Sequence, residues 1–416
     1  MKAGTREGNK FRVQPGTTSR PRLVSLMREG SLCLGKIEQS GPVRQVPGKG
    51  KRMHRFEKKF RQEVLRCSRC GFCQAVCPVF GVTLRPALNA RGKMLLLLEA
   101  MEGKITLGDE LVESLYQCTY CASCVQSCPS EVPVPEVIRE VRKDLVEVGS
   151  GHPALKGLRE ILSRSPNIYG ERETRDFGRE RNRKAQYVYF VGCVGSYRED
   201  EVTKAVLRLL DRLQVDYALI DEACCGGVLE DVGYEMNENL ARANIDRILA
   251  TQAHTVITGC PYCFRTFTGH PSYREFATRG VTVIHLSHFL KDFDFGVTTL
   301  EKVTYHDPCD LGRHLGSYEA SRQIIRKIAP NFVEMAHHGA DALCCGAGGG
   351  LRGAYAKNSI AMARRRLREA EAVGAEVILT DCNSCVHNFR NAKLGRQAFR
   401  IYHTAQFIEE LLERKA

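Results

Sequence analysis

At 416 residues, 43% of them hydrophobic, the chain is long enough for two or three domains with buried cores. Apolar runs such as residues 94–98 are far too short to cross a bilayer, and the opening residues lack the pattern of a secretory signal, so a cytoplasmic chain with at most peripheral membrane contact is expected. The net charge of +13 is concentrated in residues 1–62, where sixteen Lys and Arg face four acidic residues; the remaining 45 basic and 44 acidic side chains nearly cancel, and no basic stripe continues into the body as a nucleic-acid surface would require.

Residues 1–52, rich in Gly, Pro, Ser and Arg, read as a disordered tail, with a docking arm for an acidic partner or anionic lipid as the alternative and Met53 as an alternative start. From residue 53 the pattern turns helical. Phe56, Phe60 and Val64 recur every four residues on one face and deliver the chain to Cys67. There Cys67, Cys70, Cys73 and Cys77-Pro78 are followed, fifty-one residues on, by Cys118, Cys121, Cys124 and Cys128-Pro129 at identical offsets. Three thiolates two residues apart wrap one iron–sulfur cube, and the fourth, before proline, turns toward a second. One cubane is therefore expected on Cys67, Cys70, Cys73 and Cys128, and another on Cys118, Cys121, Cys124 and Cys77; zinc would need only four ligands in separated pairs. Helices over 88–104 and 134–146 complete a mostly helical domain over 53–150. A linker over 151–185 follows, its stretch 171–184 carrying six basic and four acidic residues.

From residue 187 short β-branched and aromatic runs alternate with helical patterns, which is α/β alternation with parallel strands. The runs 187–191, 215–220 and 255–258 end at Cys193, at Cys224-Cys225 and at Cys260-Pro-Tyr-Cys263, and 281–286 closes a first unit over 186–300. The order recurs over 301–416, with 303–305 before Cys309, 332–335 before Cys344-Cys345, 377–380 before Cys382-Asn-Ser-Cys385, and 399–402 last. The duplication places five thiols per unit at the carboxyl ends of strands, where open α/β sheets collect ligands. Five is one more than a cubane or a zinc ion uses, so each unit holds either an unusual cluster or a thiol left free to react. Of nineteen cysteines only Cys33 stands outside these groups.

The pattern of one cysteine, a vicinal pair with glycine and then Cys-x-x-Cys resembles the duplicated CCG domain of heterodisulfide reductases. With two four-cysteine motifs fused in front, residues 53–416 resemble the D-type subunits of heterodisulfide reductases and their relatives. That resemblance implies an N-terminal ferredoxin-like helical domain, noncubane [4Fe–4S] clusters on Cys193, Cys224, Cys225, Cys260 and Cys263 and on Cys309, Cys344, Cys345, Cys382 and Cys385, and a small disulfide or thiol substrate. Partners would be a flavoprotein or a membrane cytochrome b-like subunit. The layout is also similar to iron–sulfur subunits of glycolate, lactate and glycerol-3-phosphate oxidising complexes, which would make the chain an electron-transfer subunit without substrate chemistry of its own. Those relatives often lack the last cysteine of each motif; Cys263 and Cys385 are present.

Gly348, Gly350 and Gly353 fit a dinucleotide spacing, but no strand directly precedes them, and a tight turn beside the cluster is expected instead of a flavin or nicotinamide site. Among the histidines, His306 lies three residues before Cys309, while His285 and His403 close the two units at corresponding places; these are the candidate proton donors.

Overall fold

The computed structural model describes residues 54–415; the basic tail, Cys33 and Met53 lie outside them. Among the described residues no strand precedes Tyr187. The N-terminal region is helical, with main helices His54–Leu65, Ala90–Met101, Asp109–Tyr116 and Val134–Glu147. The four-residue spacing of Phe56, Phe60 and Val64 does bury one face, against Leu97, Leu115, Val137, Val141 and Leu145. Asn89 starts the second of these helices by accepting a bond from the Gly92 N–H, which satisfies one amide that the helix cannot.

Two parallel sheets follow. β1 (Tyr187–Phe190), β2 (Tyr217–Ala218), β3 (Thr255–Thr258) and β4 (Thr282–His285) are ordered β2-β1-β3-β4. β5 (Val303–Tyr305), β6 (Val377–Thr380) and β7 (Arg400–His403) are ordered β5-β6-β7. The strand expected over 332–335 is not formed. After Pro330 that segment makes a main-chain bond from Val333 N–H to the Val303 carbonyl, 2.9 Å, and is fixed otherwise by the Thr304 hydroxyl on the Val333 carbonyl, 2.8 Å. Its counterpart β2 is itself only two residues long. At these sheet edges the vicinal cysteines are therefore carried by loops more than by strands.

The two units share one core, in which Tyr189, Leu207 and Ile257 of the first meet Tyr305, Ile378 and Phe407 of the second. The C-terminal helix Thr404–Lys415 lies on helix Asp200–Arg212, where fully buried Glu409 accepts bonds from Arg208 and Arg212. The mixed-charge stretch 171–184 runs beside β2, with the Asn182 N–H on the Leu219 carbonyl at 2.7 Å and Arg183 on Asp216 at 2.8 Å. No helix among the described residues is long and apolar enough to cross a membrane.

Candidate metal centres

The two N-terminal motifs fold alike. In each, the second residue after the first cysteine and the residue after the second cysteine take left-handed φ: Arg69 and Gly71, then Tyr120 and Ala122. This curls the backbone around sulfur, and the Tyr120 N–H donates to Cys118 Sγ at 3.5 Å. The fourth cysteines cross over. Cys73 carries the electrostatic influence of Cys67, Cys70 and Cys128, while Cys77 feels Cys121 and Cys118. A small cavity is lined by Cys77, Cys118, Cys121 and Cys124 together with Lys93. Burial pushes the Cys77, Cys118 and Cys124 thiols up, so crowded neutral thiols are what the protein alone would hold there.

The two C-terminal sites repeat one another in detail. The Gly226 N–H donates to Cys224 Sγ and the Gly346 N–H to Cys344 Sγ, each at 3.4 Å. In the first unit Cys224 reaches Cys193 and Cys225, and Cys263 reaches Cys225 and Cys260. In the second, Cys344 reaches Cys309 and Cys345, and Cys385 reaches Cys382 and, at 3.2 Å, Cys345. The bond from Cys344 holds Cys345 well below the usual thiol range, with Cys385 and then His306 adding to it, and Cys224 and Cys263 do the same for Cys225. None of the eighteen patterned cysteines is in a disulfide.

Two contacts join these sites into a series. Cys121 of the N-terminal region and Cys344 of the second unit are neighbours whose side chains interact. Cys382 of the second unit in turn lies within electrostatic reach of Cys260 of the first. The glycine run after Cys345 makes the first contact possible. Gly349, at φ +61°, rests on the cysteine loop so closely that a Cβ would stand 2.2 Å from the Cys118 carbonyl oxygen. The run is thus a backbone joint between the N-terminal region and the second unit.

The polar groups around this joint test whether anionic clusters fit. Lys93, Arg142 and Arg313 are buried, and among the described residues none of them pairs with a carboxylate. Arg142 donates to the carbonyls of Leu115, Cys118, Asp231 and Gly349. Arg313 donates to those of Cys121, Ala340 and Ala342, and Lys93 to that of Leu88. Buried cations are costly without countercharge. Cysteines beside them would supply it as the thiolate ligands of a cluster: Cys118 and Cys77 act on Lys93, and Cys121, Cys309 and Cys344 on Arg313. The residues present fit iron–sulfur clusters. Sequence reasoning passed over these cations, whose signal is a basic residue on an apolar helix face, as with Arg142 beside Val141 and Leu145.

Of the candidate histidines, His306 alone is placed on a thiol. Arg366 Nε donates to its Nδ1 at 3.2 Å, which leaves the proton on Nε2, and His306 hydrogen-bonds Cys345. The nitrogen and the sulfurs of Cys345 and Cys385 lie within 4.8 Å of one another. His285 and His403 end β4 and β7 and cap the helices that follow, accepting from Ser287 N–H at 3.2 Å and Ala405 N–H at 3.3 Å. Both are buried, and His403 Nε2 reaches the Gly259 carbonyl beside Cys260 at 3.3 Å.

Burial pushes His285 down to about 3. A histidine depressed in the folded state contributes stability above its unfolded value near 6.5, and that contribution is lost as the pH falls from about 6.5 toward 3. Cluster-loaded protein is expected to lose about 1.4 kcal/mol per pH unit below 6.5 for this one group. Melting of His285→Gln between pH 7.5 and 5.5 should be correspondingly flatter, and an unchanged slope would discount the burial.

The site and fold define an oxidoreductase component of the iron–sulfur type. The 4Fe-4S dicluster domain family matches residues 63–132, and the cysteine-rich CCG domain family matches 187–268 and 303–390. The D-type subunit of the dihydromethanophenazine:CoB–CoM heterodisulfide reductase of Methanosarcina acetivorans is 27% identical over 371 residues, covering 80% of this chain and 89% of that one. The protein of the same name from Methanosarcina barkeri is 27% identical over 390 residues, covering 84% and 93%. A hypothetical protein from Helicobacter pylori of known structure shares the fold, with a TM-score of 0.54 at 10% identity over 87% of this chain and 76% of that one. The chain thus carries a match to a dicluster domain ahead of two matches to the cysteine-rich CCG domain, and over most of its length it is similar to the D subunits of heterodisulfide reductases.

Proposed function

We propose that this chain relays electrons between a redox partner and a disulfide, which it reduces or, in reverse, forms. Cys67, Cys70, Cys73 and Cys128 would hold one [4Fe–4S] cubane, and Cys118, Cys121, Cys124 and Cys77 the second. Each CCG unit would hold a noncubane cluster on its five cysteines. When bound, the clusters supply one-electron transfer and iron open to sulfur. The domains assigned to these roles are 53–150, 186–300 and 301–416, with 151–185 between.

The observation that carries the reading is the proximity of Cys121 and Cys344; on this reading the second cubane would stand beside the second CCG cluster. Cys124 feels Cys73 on one side, and Cys382 feels Cys260 on the other, so four clusters held in this way would lie in series. Two CCG sites at the end of this series suit a disulfide, whose S–S bond breaks with two electrons and two protons to give two thiols. His306 would hold a proton at Nε2 beside Cys345. The chain carries no flavin or nicotinamide site in this reading, and so takes its electrons from another subunit, a flavoprotein or a membrane cytochrome b-like protein that would also hold it at the inner face of a membrane.

Anaerobically purified protein is expected to carry about sixteen irons and to show an electron paramagnetic resonance signal that a thiol or disulfide alters. About eight irons and no such response would instead make it an electron-transfer partner for a flavoprotein oxidising a 2-hydroxy acid.

A further inference from the structure

Arg313 is buried, four residues after Cys309, and spans the joint between the N-terminal region and the second unit. Its Nε donates to the Cys121 carbonyl at 2.5 Å, and its Nη1 donates to the carbonyls of Ala342, at 2.7 Å, and Ala340, at 3.0 Å. These three anchors, drawn from both sides of the joint, fix the plane of the guanidinium. Nη2 is equally buried and has no hydrogen-bond partner among the described residues. Buried donors are nearly always paired, so this one points to an acceptor that the polypeptide does not supply.

Nearby acids are engaged elsewhere or turned outward. Asp310 pairs with Arg265 at 3.0 Å and Asp307 with Arg322 at 2.7 Å, while Asp341 is exposed. Burial works against the Arg313 charge, and Cys121, then Cys309 and Cys344, outweigh it. Those cysteines come from two ligand sets, Cys121 from the one proposed for the second cubane and the other two from the second CCG set. The duplication does not repeat the cation. One hundred and sixteen residues earlier, the offset from Cys309 to Cys193, the chain has Tyr197, whose hydroxyl donates to the Glu173 carbonyl at 3.4 Å. His306 likewise has Phe190 as its counterpart.

We propose that Arg313 is a potential-setting residue whose free Nη2 donates to cluster sulfur at the joint, raising the reduction potentials of the second cubane and the second CCG cluster and of those two alone. Each electron gained adds a negative charge, and a fixed cation with an N–H donor favours that state most where water does not screen it. Hydrogen bonds to sulfur are among the levers that set such potentials. The two CCG sites are then unequal despite their common cysteine pattern. The inference rests on the cluster assignment proposed above.

The test is a potentiometric titration of anaerobically purified wild type, Arg313→Gln and Arg313→Lys, followed by electron paramagnetic resonance. In Arg313→Gln one cubane midpoint and one CCG midpoint are expected to fall, each by at least a tenfold loss in the equilibrium constant for reduction, which for one electron is about 59 mV. The other cubane and the other CCG midpoint should stay in place. Arg313→Lys keeps the charge and should recover at least half of each shift. Four unchanged midpoints, or four that move alike, overturn the proposal. Should either variant fail to fold without the three carbonyl contacts, the wild type decides. Labelled with guanidino-15N arginine and reduced, it should show nitrogen coupling to one cubane and to one CCG cluster in pulsed resonance, and its absence from either overturns the proposal. About sixteen irons with no shift and no coupling leave the relay reading standing without Arg313; iron missing from the CCG sites removes both.

Discussion

Cys345→Ser, purified without oxygen, is expected to lose about four of about sixteen irons and all thiol-dependent change in the paramagnetic signal, while both cubane signals persist. Cys345 is where the second CCG site is most tightly held. Its sulfur lies 3.2 Å from Cys385, bonded also to Cys344 and His306, and its carbonyl accepts from Asn388 at 2.7 Å. Serine keeps the shape but gives up the thiolate that the Cys344 bond favours. Disulfide turnover should fall by more than about 100-fold, beyond the usual cost of disturbing a ligand's supporting shell. The cysteines proposed for the cubanes are not those of this site, so reduction of the cubanes by dithionite should proceed as in the wild type. Full iron content with intact thiol response would remove Cys345 from the ligand set.

Arg142→Met is expected to have the largest effect on stability, about 3–5 kcal/mol, as when a buried charged group loses its partners. The guanidinium is fully buried beneath the rings of Tyr116 and Tyr120, at 4.6 and 4.7 Å. Its four carbonyl acceptors come from separate parts of the chain: the helix Asp109–Tyr116, the cysteine loop at Cys118, Asp231 of the first unit and Gly349 of the second. Methionine fills much of the volume yet leaves those carbonyls without donors, each costing about 1–3 kcal/mol. Lysine should not restore stability, because one ammonium cannot serve a fork of divergent acceptors. A urea midpoint within about 1 kcal/mol of wild type, at an unchanged slope, would show that the four contacts are dispensable.

The sequence revealed the parts through local chemistry. Cysteine spacing, proline after the fourth cysteine and the helical rhythm of Phe56, Phe60 and Val64 act over a few residues, so they can be read one stretch at a time. The order of short strands ending at thiols works the same way, and it fails where the local signal is weakest, at 332–335, because a segment behind proline at a sheet edge can satisfy its neighbours without a ladder. The CCG likeness was also legible, since it lies in offsets along the chain.

Only the tertiary structure decided how the parts meet. Nothing local to Gly349 says that its backbone rests on the Cys118 carbonyl, or that Arg142, more than two hundred residues away, bonds the same glycine. Lys93 and Arg313 look in sequence like any basic residue, and become informative only once burial and the distribution of carboxylates are known. The glycine run, read from sequence as a turn around sulfur, serves in the fold as the joint that brings Cys344 to Cys121. Spacing along a chain specifies which thiols can share one cluster, because that is short-range geometry; which clusters stand next to each other depends on contacts between residues that the sequence keeps far apart.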